Sequence, residues 1–458
     1  MVAPARRAAF EALRLVSTGR ADLPAALAAR RDRLADDRDR ALTAEIVTGT
    51  LRWRGTLDHL IATFARRAID RIDPEVVEIL RLSVYQLLHL DRVPAAAVVD
   101  DAVDLTRGAG KRSASGFVNA VLRAVSRAGD RLPLPAMPVD GPDRPEPGSP
   151  AWEAAVDYLS VTQSHPRWLA ERWLSRVGFA AADRWVRFDN APAPVTLRVN
   201  TLRTTTDDLV RQLADEGIEV DRATYAVDAL VVRSGTPQRS PLAGRGLFVL
   251  QNEASQLVAL FAESRPGARV LDACASPGGK TVVMADRMGG RGLLVAADRR
   301  PRRVQLLRRQ LQAAGLGVIP IVQLDLLQPL PFGAVFDQVL VDAPCSGLGT
   351  IRRDPDIRWR RTEQDLAAFA ERQRQMLQAA ADGVAPGGCL TYATCSSEPE
   401  ENEAVASAFL AARPDFSPAA PPAVPGLETV IDERGHLRTW PHRHGLEAFF
   451  AATFRRIV

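Results

Sequence analysis

The chain has 458 residues, of which 46% are hydrophobic and 25% are charged, as in ordinary globular proteins with two or three domains. It contains no apolar run long enough to span a bilayer and no apolar stretch near Met1 like that of a signal peptide, so we expect a cytoplasmic protein. The net charge of +4 permits a nucleic-acid partner but is too small for this length to establish one.

Residues 5–128 carry apolar side chains at helical spacing throughout. Over residues 74–90, for example, Val76, Leu80 and Val84 fall on one face of the expected helix. The pattern predicts a bundle of helices packed around one core. By itself, a helical bundle indicates no binding site and no reaction.

Residues 129–150 separate this bundle from the rest of the chain. They contain seven prolines with Gly and Asp between them, which is typical of an extended, semi-rigid linker. Helical spacing returns over residues 151–190, and a mixture of short strands and a helix follows. We therefore predict a helical domain, a linker, a small α+β subdomain and a larger C-terminal domain, with the limits 1–128, 129–150, 151–245 and 246–458.

From residue 269 onward, short apolar runs alternate with helical segments, as in a parallel, doubly wound α/β sheet. In open sheets of this type, ligands bind beyond the carboxyl ends of the strands. The strands are predicted at residues 270–271, 293–297, 318–322, 339–341 and 390–392. The helices are predicted at residues 281–288, 302–314 and 362–383.

A glycine-containing turn, residues 272–281 (DACASPGGKT), lies between the first of these strands and the helix after it. Its glycines let the backbone approach a ligand, and the free N–H groups at the start of the helix can bind one. The spacing fits neither the Walker A loop nor the GxGxxG loop, and a tight turn without a ligand is the alternative. Lys111 and Lys280 are the only lysines of this arginine-rich chain, so the lysine kept in this turn is conspicuous.

Acidic residues follow the next two strands. Asp298 ends the second strand, where an acid can hold ribose hydroxyls, but Asp is also a favoured cap for a helix that begins near Pro301. Asp325 follows the third strand and can accept a hydrogen bond from an adenine amino group, or simply form a turn. Both interpretations stay open for each acid at this point.

Two of the four cysteines lie where a predicted strand meets a loop, Cys345 in VDAPCSG and Cys395 in YATCS. A thiolate that adds to C6 of cytosine makes C5 nucleophilic enough to take a methyl group, and a carboxyl group such as Asp342 can assist at N3. A base must then remove the C5 proton before the thiol leaves. The residues alone do not say which thiol attacks. The alternative, a small buried hydrophobic side chain, suits Cys274 and Cys389 better.

The strings DACASPGGKT, DAPCSG and YATCS, in this order, resemble the Sun (Fmu) family of RNA cytosine C5 methyltransferases. The segments RLSVYQLLHLDRVPAAAVVDDAVDL and SGFVNAVLRAV resemble the NusB RNA-binding fold, and the motifs HPRWLAERW, LRVN and QNEAS extend the similarity over nearly the whole chain. The resemblance implies a Rossmann-like, S-adenosylmethionine-dependent methyltransferase sheet in residues 246–458, preceded by an all-α NusB-like domain and a small α+β subdomain. It also implies methylation of a cytosine in RNA, with small-subunit (16S) ribosomal RNA as the expected target.

In this family pattern, Cys395 of the TCS string is the nucleophile, Cys345 of the PCS string assists release of the product, and Asp342 binds the cofactor. The support that Asp342 can give at N3 makes it a candidate catalytic residue as well. The chain departs from the pattern at Ser276, where the family usually has Ala, and at residues 444–450, which read HGLEAFF in place of HGTDGFF. The second change keeps an acid but alters its reach. The residues that the resemblance assigns to S-adenosylmethionine are Cys274, Ala275, Ser276, Pro277, Gly278, Gly279, Lys280, Asp298, Asp325 and Asp342.

Arginines that follow the Cys345 string, with Trp359 among them, are candidates for contacts with phosphates and with an unstacked base. The alternative is a solvated loop in an arginine-rich chain. Because a base must leave any helix to reach a thiol, we expect an RNA loop or a partly unfolded RNA as substrate. The candidate RNA contacts are Arg352, Arg353, Arg358, Arg198 and Asn200.

Two other functions stay open from the sequence: the same chemistry on transfer RNA, and a non-catalytic NusB-like RNA-binding factor. The complete cofactor turn and both cysteines argue against the second. Besides RNA and S-adenosylmethionine we expect no membrane partner and no metal, because the chain has no CxxC pair and its six His are scattered. We expect a monomer.

Overall fold

The computed structural model describes residues 2–139 and 141–457. These residues form two compact units. The first comprises the chain up to Pro192 together with Ile351–Glu363, and the second comprises Ala193–Thr350 and the chain from Gln364 onward. Within the described ranges, no helix is both long enough and apolar enough to cross a membrane.

The regular elements are numbered along the chain, and each of the strands lies in the second unit. The helices are α1 (Pro4–Ser17), α2 (Leu23–Arg31), α3 (Asp37–Arg52), α4 (Arg54–Ala65), α5 (Pro74–His89), α6 (Ala95–Gly108), α7 (Ser115–Ala128), α8 (Pro150–Asp157), α9 (Arg167–Val177), α10 (Phe179–Asn190), α11 (Thr206–Asp215), α12 (Glu253–Phe261), α13 (Gly279–Met288), α14 (Pro301–Ala313), α15 (Ile357–Arg360), α16 (Glu363–Ala381), α17 (Glu403–Ala412) and α18 (Pro441–His444). The strands are β1 (Thr196–Val199), β2 (Glu219–Arg222), β3 (Ala229–Ser234), β4 (Phe248–Leu250), β5 (Arg269–Asp272), β6 (Leu293–Asp298), β7 (Ile321–Gln323), β8 (Phe336–Asp342), β9 (Val384–Thr394), β10 (Phe416–Pro418), β11 (Leu437–Arg438) and β12 (Phe450–Arg456).

In the first unit, the helices α1 to α7 pack around an apolar core. Val76 and Leu80 of α5 are buried in it, on the face that helical spacing predicts. The start of α5 is fixed locally: the Asp73 side chain accepts a hydrogen bond from Glu75 N at 2.9 Å, and Pro74 is the first helical residue. The bundle therefore forms where periodicity and capping residues agree.

The proline-rich segment lies within the first unit, which also includes α8 to α10. Hydrogen bonds hold its described residues in place, from Thr162 Oγ1 to Pro135 O and from Phe179 N to Asp143 O, each at 2.6 Å. The boundary between the two compact units lies after Pro192. The domain limits given by sequence analysis stay a prediction.

A small antiparallel sheet opens the second unit, with the strand order β2-β3-β1-β4. Leu197 of β1 and Leu209 and Leu213 of α11 are buried together against it. Strand β4 follows residue 245 and pairs with β1, so the sheet extends into the region that sequence analysis placed in the next domain.

The large sheet has the order β10-β12-β9-β8-β5-β6-β7, and β11 pairs with β12. The strands from β9 to β7 run parallel, whereas β12 pairs with β9, and β10 with β12, in the antiparallel sense. The chain continues from β5 to β6 on one side and later returns to β8 on the other, and ligands bind at such a switch point. The predicted fold class is confirmed, although the antiparallel strands were not predicted.

Both faces of the large sheet are covered, which explains the continuous apolar runs of its strands. Val270 of β5 belongs to one buried cluster and Leu271 to the other, and Ala296 and Ala297 of β6 divide in the same way. Side chains along these strands therefore pack in the two apolar clusters on either face of the sheet. Residues available for chemistry lie at the strand ends.

Candidate active site

The DACASPGGKT turn joins β5 to α13. Gly278 has a φ of +115°, which favours glycine, and the first N–H groups of α13, beginning at Gly279, have no acceptor inside the helix. A Cβ atom at Gly279 would lie 3.1 Å from Cδ of Gln251, so the glycine admits that side chain. Among the described residues, the buried Oε1 atom of Gln251 has no hydrogen-bond partner. The turn thus offers backbone donors and one open acceptor to a ligand.

Carboxyl groups stand at the ends of three neighbouring strands, Asp342 on β8, Asp272 on β5 and Asp298 on β6. Burial raises the pKa of the Cys274 thiol well above its usual value, and the negative charges of these three carboxylates add to the effect. Cys274 therefore stays a thiol. The edge of the sheet is acidic, which suits a ligand with a positive charge or with hydroxyl donors.

Asp298 and Asp325 each form one local hydrogen bond. Asp298 Oδ1 accepts from Arg300 N and Asp325 Oδ1 accepts from Leu327 N, both at 3.1 Å. Both are turns in which an Asp side chain accepts from the N–H group two residues further on. The N-cap residue of α14 is Arg300, so the helix cap expected at Asp298 is not formed. The second oxygens lie in long ion pairs, Asp298 Oδ2 at 4.0 Å from Arg303 Nη1 and Asp325 Oδ2 at 3.8 Å from Arg299 Nη1. These distances exceed hydrogen-bond length, so the local role and a ligand-binding role are compatible.

Lys280 connects the turn with the end of β8, because its Nζ atom lies 2.6 Å from Asp342 Oδ2. Burial alone would lower the pKa of Lys280. The charge of Asp342 and the hydrogen bond to it outweigh burial and hold the pKa of Lys280 above its usual value. Lys280 is thus an ammonium ion within an acidic site.

The two candidate thiols lie together. Asp342 of β8 is in register with Ala393 of β9, so the loops after these strands start at the same level. Cys345 Sγ lies 3.2 Å from Cys395 Sγ, within hydrogen-bond distance for sulfur. This hydrogen bond, burial and the charges of Cys395 and Glu401 raise the pKa of Cys345 well above its usual value. Cys345 therefore keeps its proton at neutral pH and can donate it to Cys395.

Polar residues that the sequence motifs did not indicate hold these two loops together. Ser346 follows one thiol and Ser396 the other, and their Oγ atoms are 3.2 Å apart. The buried carboxylate of Glu401 accepts hydrogen bonds from Ser346 N at 2.7 Å and from Ser396 Oγ at 2.6 Å. The Cys-Ser dipeptide that occurs in both strings is the sequence feature that indicates Ser346 and Ser396.

The HGLEAFF segment lies beside the same turn. Its acid, Glu447, is buried and accepts a hydrogen bond from the side-chain amide of Asn252 in the QNEAS motif. Lys280 Nζ lies 5.6 Å from the centre of the Phe449 ring, a cation–π contact. The segment that departs from the family pattern is therefore bound to two neighbouring motifs.

The prediction that Arg358 contacts RNA is corrected by its burial. Its side chain has no exposed surface, and Nη1 donates to Ser164 O at 2.9 Å and to Asn190 Oδ1 at 3.0 Å. Burial lowers the pKa of its guanidinium group to about 9. Arg358 stabilises the first unit from inside and has no surface to offer to RNA.

The same correction applies to Arg198 and Asn200 of the LRVN motif, which are 1% and 0% exposed. Arg198 Nη2 donates to Asp286 Oδ2 at 2.9 Å, a buried ion pair within the second unit. Asn200 Nδ2 donates to Gly246 O and Ala314 O at 2.8 and 2.9 Å. Both side chains fasten the small sheet to its neighbours in the second unit.

Arg352 and Arg353 are half-buried in the first unit. The Arg352 guanidinium lies 4.3 Å from the centre of the Phe188 ring, and its Nη2 atom donates to a backbone carbonyl. Trp359 and Arg360 line a cavity of about 300 Å³ in this unit. Contact of Arg352 and Arg353 with RNA stays a prediction.

Three family models match successive parts of the chain. A NusB family model matches residues 3–127, and a model of the ferredoxin-like domain of RsmF/B-like methyltransferases matches residues 165–238. A model described as 16S rRNA methyltransferase RsmB/F matches residues 259–455. This last range includes the β5–α13 turn and both thiols.

Curated relatives match over nearly their whole length. A probable ribosomal RNA small subunit methyltransferase B of Bacillus subtilis is 34% identical, over 92% of this chain and 91% of the relative. A ribosomal RNA small subunit methyltransferase B of Pseudomonas putida is 34% identical, over 94% of this chain and 96% of the relative.

Solved structures share the fold. The crystal structure of PH0851 is 25% identical with a TM-score of 0.78, over 100% of this chain and 99% of that one. A methyltransferase homologue from Pyrococcus horikoshii is 28% identical with a TM-score of 0.57, over 68% of this chain and 100% of that one.

Proposed function

Because the chain belongs to the RsmB/F family of 16S rRNA methyltransferases, we propose that it transfers a methyl group from S-adenosylmethionine to C5 of a cytosine in 16S ribosomal RNA. The reaction passes through a covalent bond between Cys395 and C6 of the base. The observation that carries the proposal is the 3.2 Å separation of the Cys345 and Cys395 sulfur atoms, at the end of the strand that presents Asp342.

The residues of the β5–α13 turn fit this cofactor. Backbone N–H groups at the start of α13 suit its methionine carboxylate, and the acidic strand ends suit its ammonium group. Asp298 suits the ribose hydroxyls and Asp325 the adenine amino group. When bound, the cofactor supplies an electrophilic methyl group. The residues proposed to hold it are Cys274, Ala275, Ser276, Pro277, Gly278, Gly279, Lys280, Asp298, Asp325 and Asp342.

Addition requires the thiolate form of Cys395, which forms when its proton passes to the solvent. Its sulfur forms a bond to C6, and the electrons of the C5–C6 double bond move through C4 to N3, which takes up a proton. Asp342 passes this proton to N3, and the Lys280 ammonium, 2.6 Å from its carboxylate, supplies it. C5 then has enamine character and accepts the methyl group.

Release requires further proton movements. C5 loses its proton, the C5–C6 double bond forms again, and the bond from sulfur to C6 breaks with its electron pair returning to Cys395. The C5 proton passes to the solvent. Cys345 has kept its own proton and lies 3.2 Å from Cys395, so it can protonate the departing sulfur and regain a proton from the solvent afterwards. N3 returns its proton through Asp342.

Bisulfite sequencing tests the proposal directly. The purified protein is incubated with S-adenosylmethionine and either unmethylated 16S ribosomal RNA or transfer RNA. We expect one protected cytosine in 16S ribosomal RNA for the wild type and for Cys389→Ala, whose thiol lies further back on β9, and no protection for Cys395→Ala. Normal turnover by Cys395→Ala would refute the nucleophile, and protection confined to transfer RNA would refute the substrate.

A further inference from the structure

One buried carboxylate connects the two loops that carry the thiols. Glu401 is 0% exposed. Its Oε1 atom accepts hydrogen bonds from Ser346 N at 2.7 Å and from Gln373 Nε2 at 3.0 Å, and its Oε2 atom accepts from Ser396 Oγ at 2.6 Å. These four residues, Ser346, Gln373, Ser396 and Glu401, form what we call the thiol-loop cluster.

The hydrogen bonds of the thiol-loop cluster have one consistent direction. Both carboxylate oxygens of Glu401 act as acceptors, so the Ser396 hydroxyl group donates a hydrogen bond to Glu401. The Ser346 hydroxyl group, whose Oγ atom lies 3.2 Å from Ser396 Oγ, must then donate its hydrogen bond to Ser396. Glu401 therefore orients both serines, and each serine directly follows one of the thiols.

The thiol-loop cluster joins three separate elements. Ser346 belongs to the loop after β8, Ser396 to the loop after β9 and Gln373 to α16. Gln373 Nε2 also donates to Pro344 O at 3.0 Å, one residue before Cys345. Burying a carboxylate is costly, and three uncharged donors satisfy it here without a basic partner among them. An apolar side chain would fill this space at lower cost, but it would not tie the loops together.

We propose that Glu401 is a positioning residue that holds Cys345 and Cys395 at the separation required for proton transfer when the methylated base is released. This inference rests on the proposed function and adds a residue that does not touch the substrate. The charge of Glu401 has a second effect, because, after the hydrogen bond with Cys395 and burial, it helps to raise the pKa of Cys345. Loss of that charge therefore lowers the pKa of Cys345 and also weakens the hydrogen bonds that fix the separation of the two thiols.

The separation of the thiols is tested first, without RNA. Diamide oxidises two adjacent thiols to a disulfide and takes up their two hydrogens, and mass spectrometry follows the Cys345–Cys395 product. We expect disulfide formation to be about tenfold slower in Ser396→Ala, which leaves the charge of Glu401 in place, since a misplacement of about 1 Å costs up to about 10²-fold in reactions between held groups. In Glu401→Gln the lost charge also makes the Cys345 thiolate form more readily, so its rate should fall by a smaller factor.

The second readout is the ratio of covalent protein–RNA adduct to methylated product. We expect Glu401→Gln to accumulate adduct relative to the wild type, because release is slowed more than addition. Glu253→Gln is the matched control: it alters another buried carboxylate of the same unit, which accepts from Tyr225 N and Ala226 N, at 2.5 and 3.0 Å. It should reduce stability without changing the ratio, since a fall in folded protein lowers adduct and product together.

Unchanged disulfide rates and unchanged adduct ratios in both Glu401→Gln and Ser396→Ala would overturn the inference. The same shift in ratio with Glu253→Gln would also overturn it, because the effect would then be one of general stability. A wild type that methylates no RNA, while Glu401→Gln still slows the disulfide, would refute the proposed function and support the positioning of the thiols.

Discussion

Lys280 Nζ lies 2.6 Å from Asp342 Oδ2, so an ion pair joins the first turn of α13 to the end of β8. The turn proposed to hold the cofactor and the carboxyl group proposed to act on cytosine are thereby linked through one contact. The Lys280 side chain is 11% exposed, so little water competes for this contact. This is one of two lysines in an arginine-rich chain, and an ammonium group can give up a proton where a guanidinium cannot.

Lys280→Met should lower the rate of methyl transfer even when the cofactor is saturating. General acid–base groups contribute about 10²–10⁴-fold, and we expect a loss of about 10²-fold or more. Lys111→Met is the control, because Lys111 pairs with Asp73 in the first unit at 2.6 Å. Steady-state rates measure the effect on methyl transfer, and calorimetry measures the effect on cofactor affinity. Weaker binding with a normal saturated rate would assign Lys280 to cofactor binding alone.

Cys345→Ala should trap the RNA on the protein. Without the second thiol, the bond between Cys395 and C6 still forms, but the departing sulfur receives no proton from its neighbour at 3.2 Å. The expected result is a protein–RNA complex that survives a denaturing gel and is absent from the Cys345→Ala/Cys395→Ala double variant. Product release at the wild-type rate by Cys345→Ala would show that another group clears the adduct.

Sequence patterns located the central strands because these strands are buried on both faces. Residues 293–297 were predicted as a strand, and β6 is Leu293–Asp298. At the sheet edge the pattern was less informative: residues 318–322 were predicted, β7 is Ile321–Gln323, and Val318 is 91% exposed. The strands β10 and β12 were missed, since their antiparallel pairing beside β9 is a tertiary contact that local periodicity does not encode.

The site divides in a similar way. The family recognised from three short strings is confirmed, whereas the roles of its residues stay a prediction. The burial of Arg198 and Arg358 could not be predicted from short motifs. An arginine is expected to be exposed to solvent unless a partner that compensates its buried charge is known. The two partners of Arg198 are Asp228 and Asp286, which lie 30 and 88 residues further along the chain. Glu401 was missed for the same reason, since its contacts with Ser346 cross 55 residues.

Asp272 should make the protein less stable as the pH rises. Its carboxyl group is 0% exposed, and burial raises its pKa from 3.8 to about 7, so the folded state holds a proton that the unfolded state releases near pH 4. Folding is favoured by this group at low pH, and the contribution is lost as the pH rises through about 7. Asp272→Asn keeps an acceptor for Thr281 Oγ1, which donates to Asp272 Oδ2 at 2.7 Å, and removes the titration.

Urea unfolding of the wild type and Asp272→Asn at about pH 5.5 and about pH 8 measures the difference. Over this range the free energy of unfolding of the wild type should fall by about 2 kcal/mol relative to that of the variant. The fall is about 1.4 kcal/mol for each pH unit up to the pKa of Asp272 in the folded state. Asp337→Asn is the control, because the hydrogen bond with Arg269 lowers the pKa of Asp337 and places its titration below this range. Parallel profiles for wild type and Asp272→Asn would show that Asp272 is already ionised when folded.

Arg198→Met should destabilise the second unit rather than weaken RNA binding selectively. The change removes the cation that is 2.9 Å from Asp286 and leaves a carboxylate of 1% exposure without its ionic partner. Removing one member of a buried ion pair costs about 3–5 kcal/mol. Arg222→Ala is the control, since Arg222 pairs with Asp207 on the surface, where such pairs contribute about 0–1 kcal/mol. Thermal and urea unfolding report the stability, and filter binding reports the affinity for RNA. A variant with wild-type stability and weaker RNA binding would restore Arg198 as an RNA contact and would require the LRVN strand to open when RNA binds.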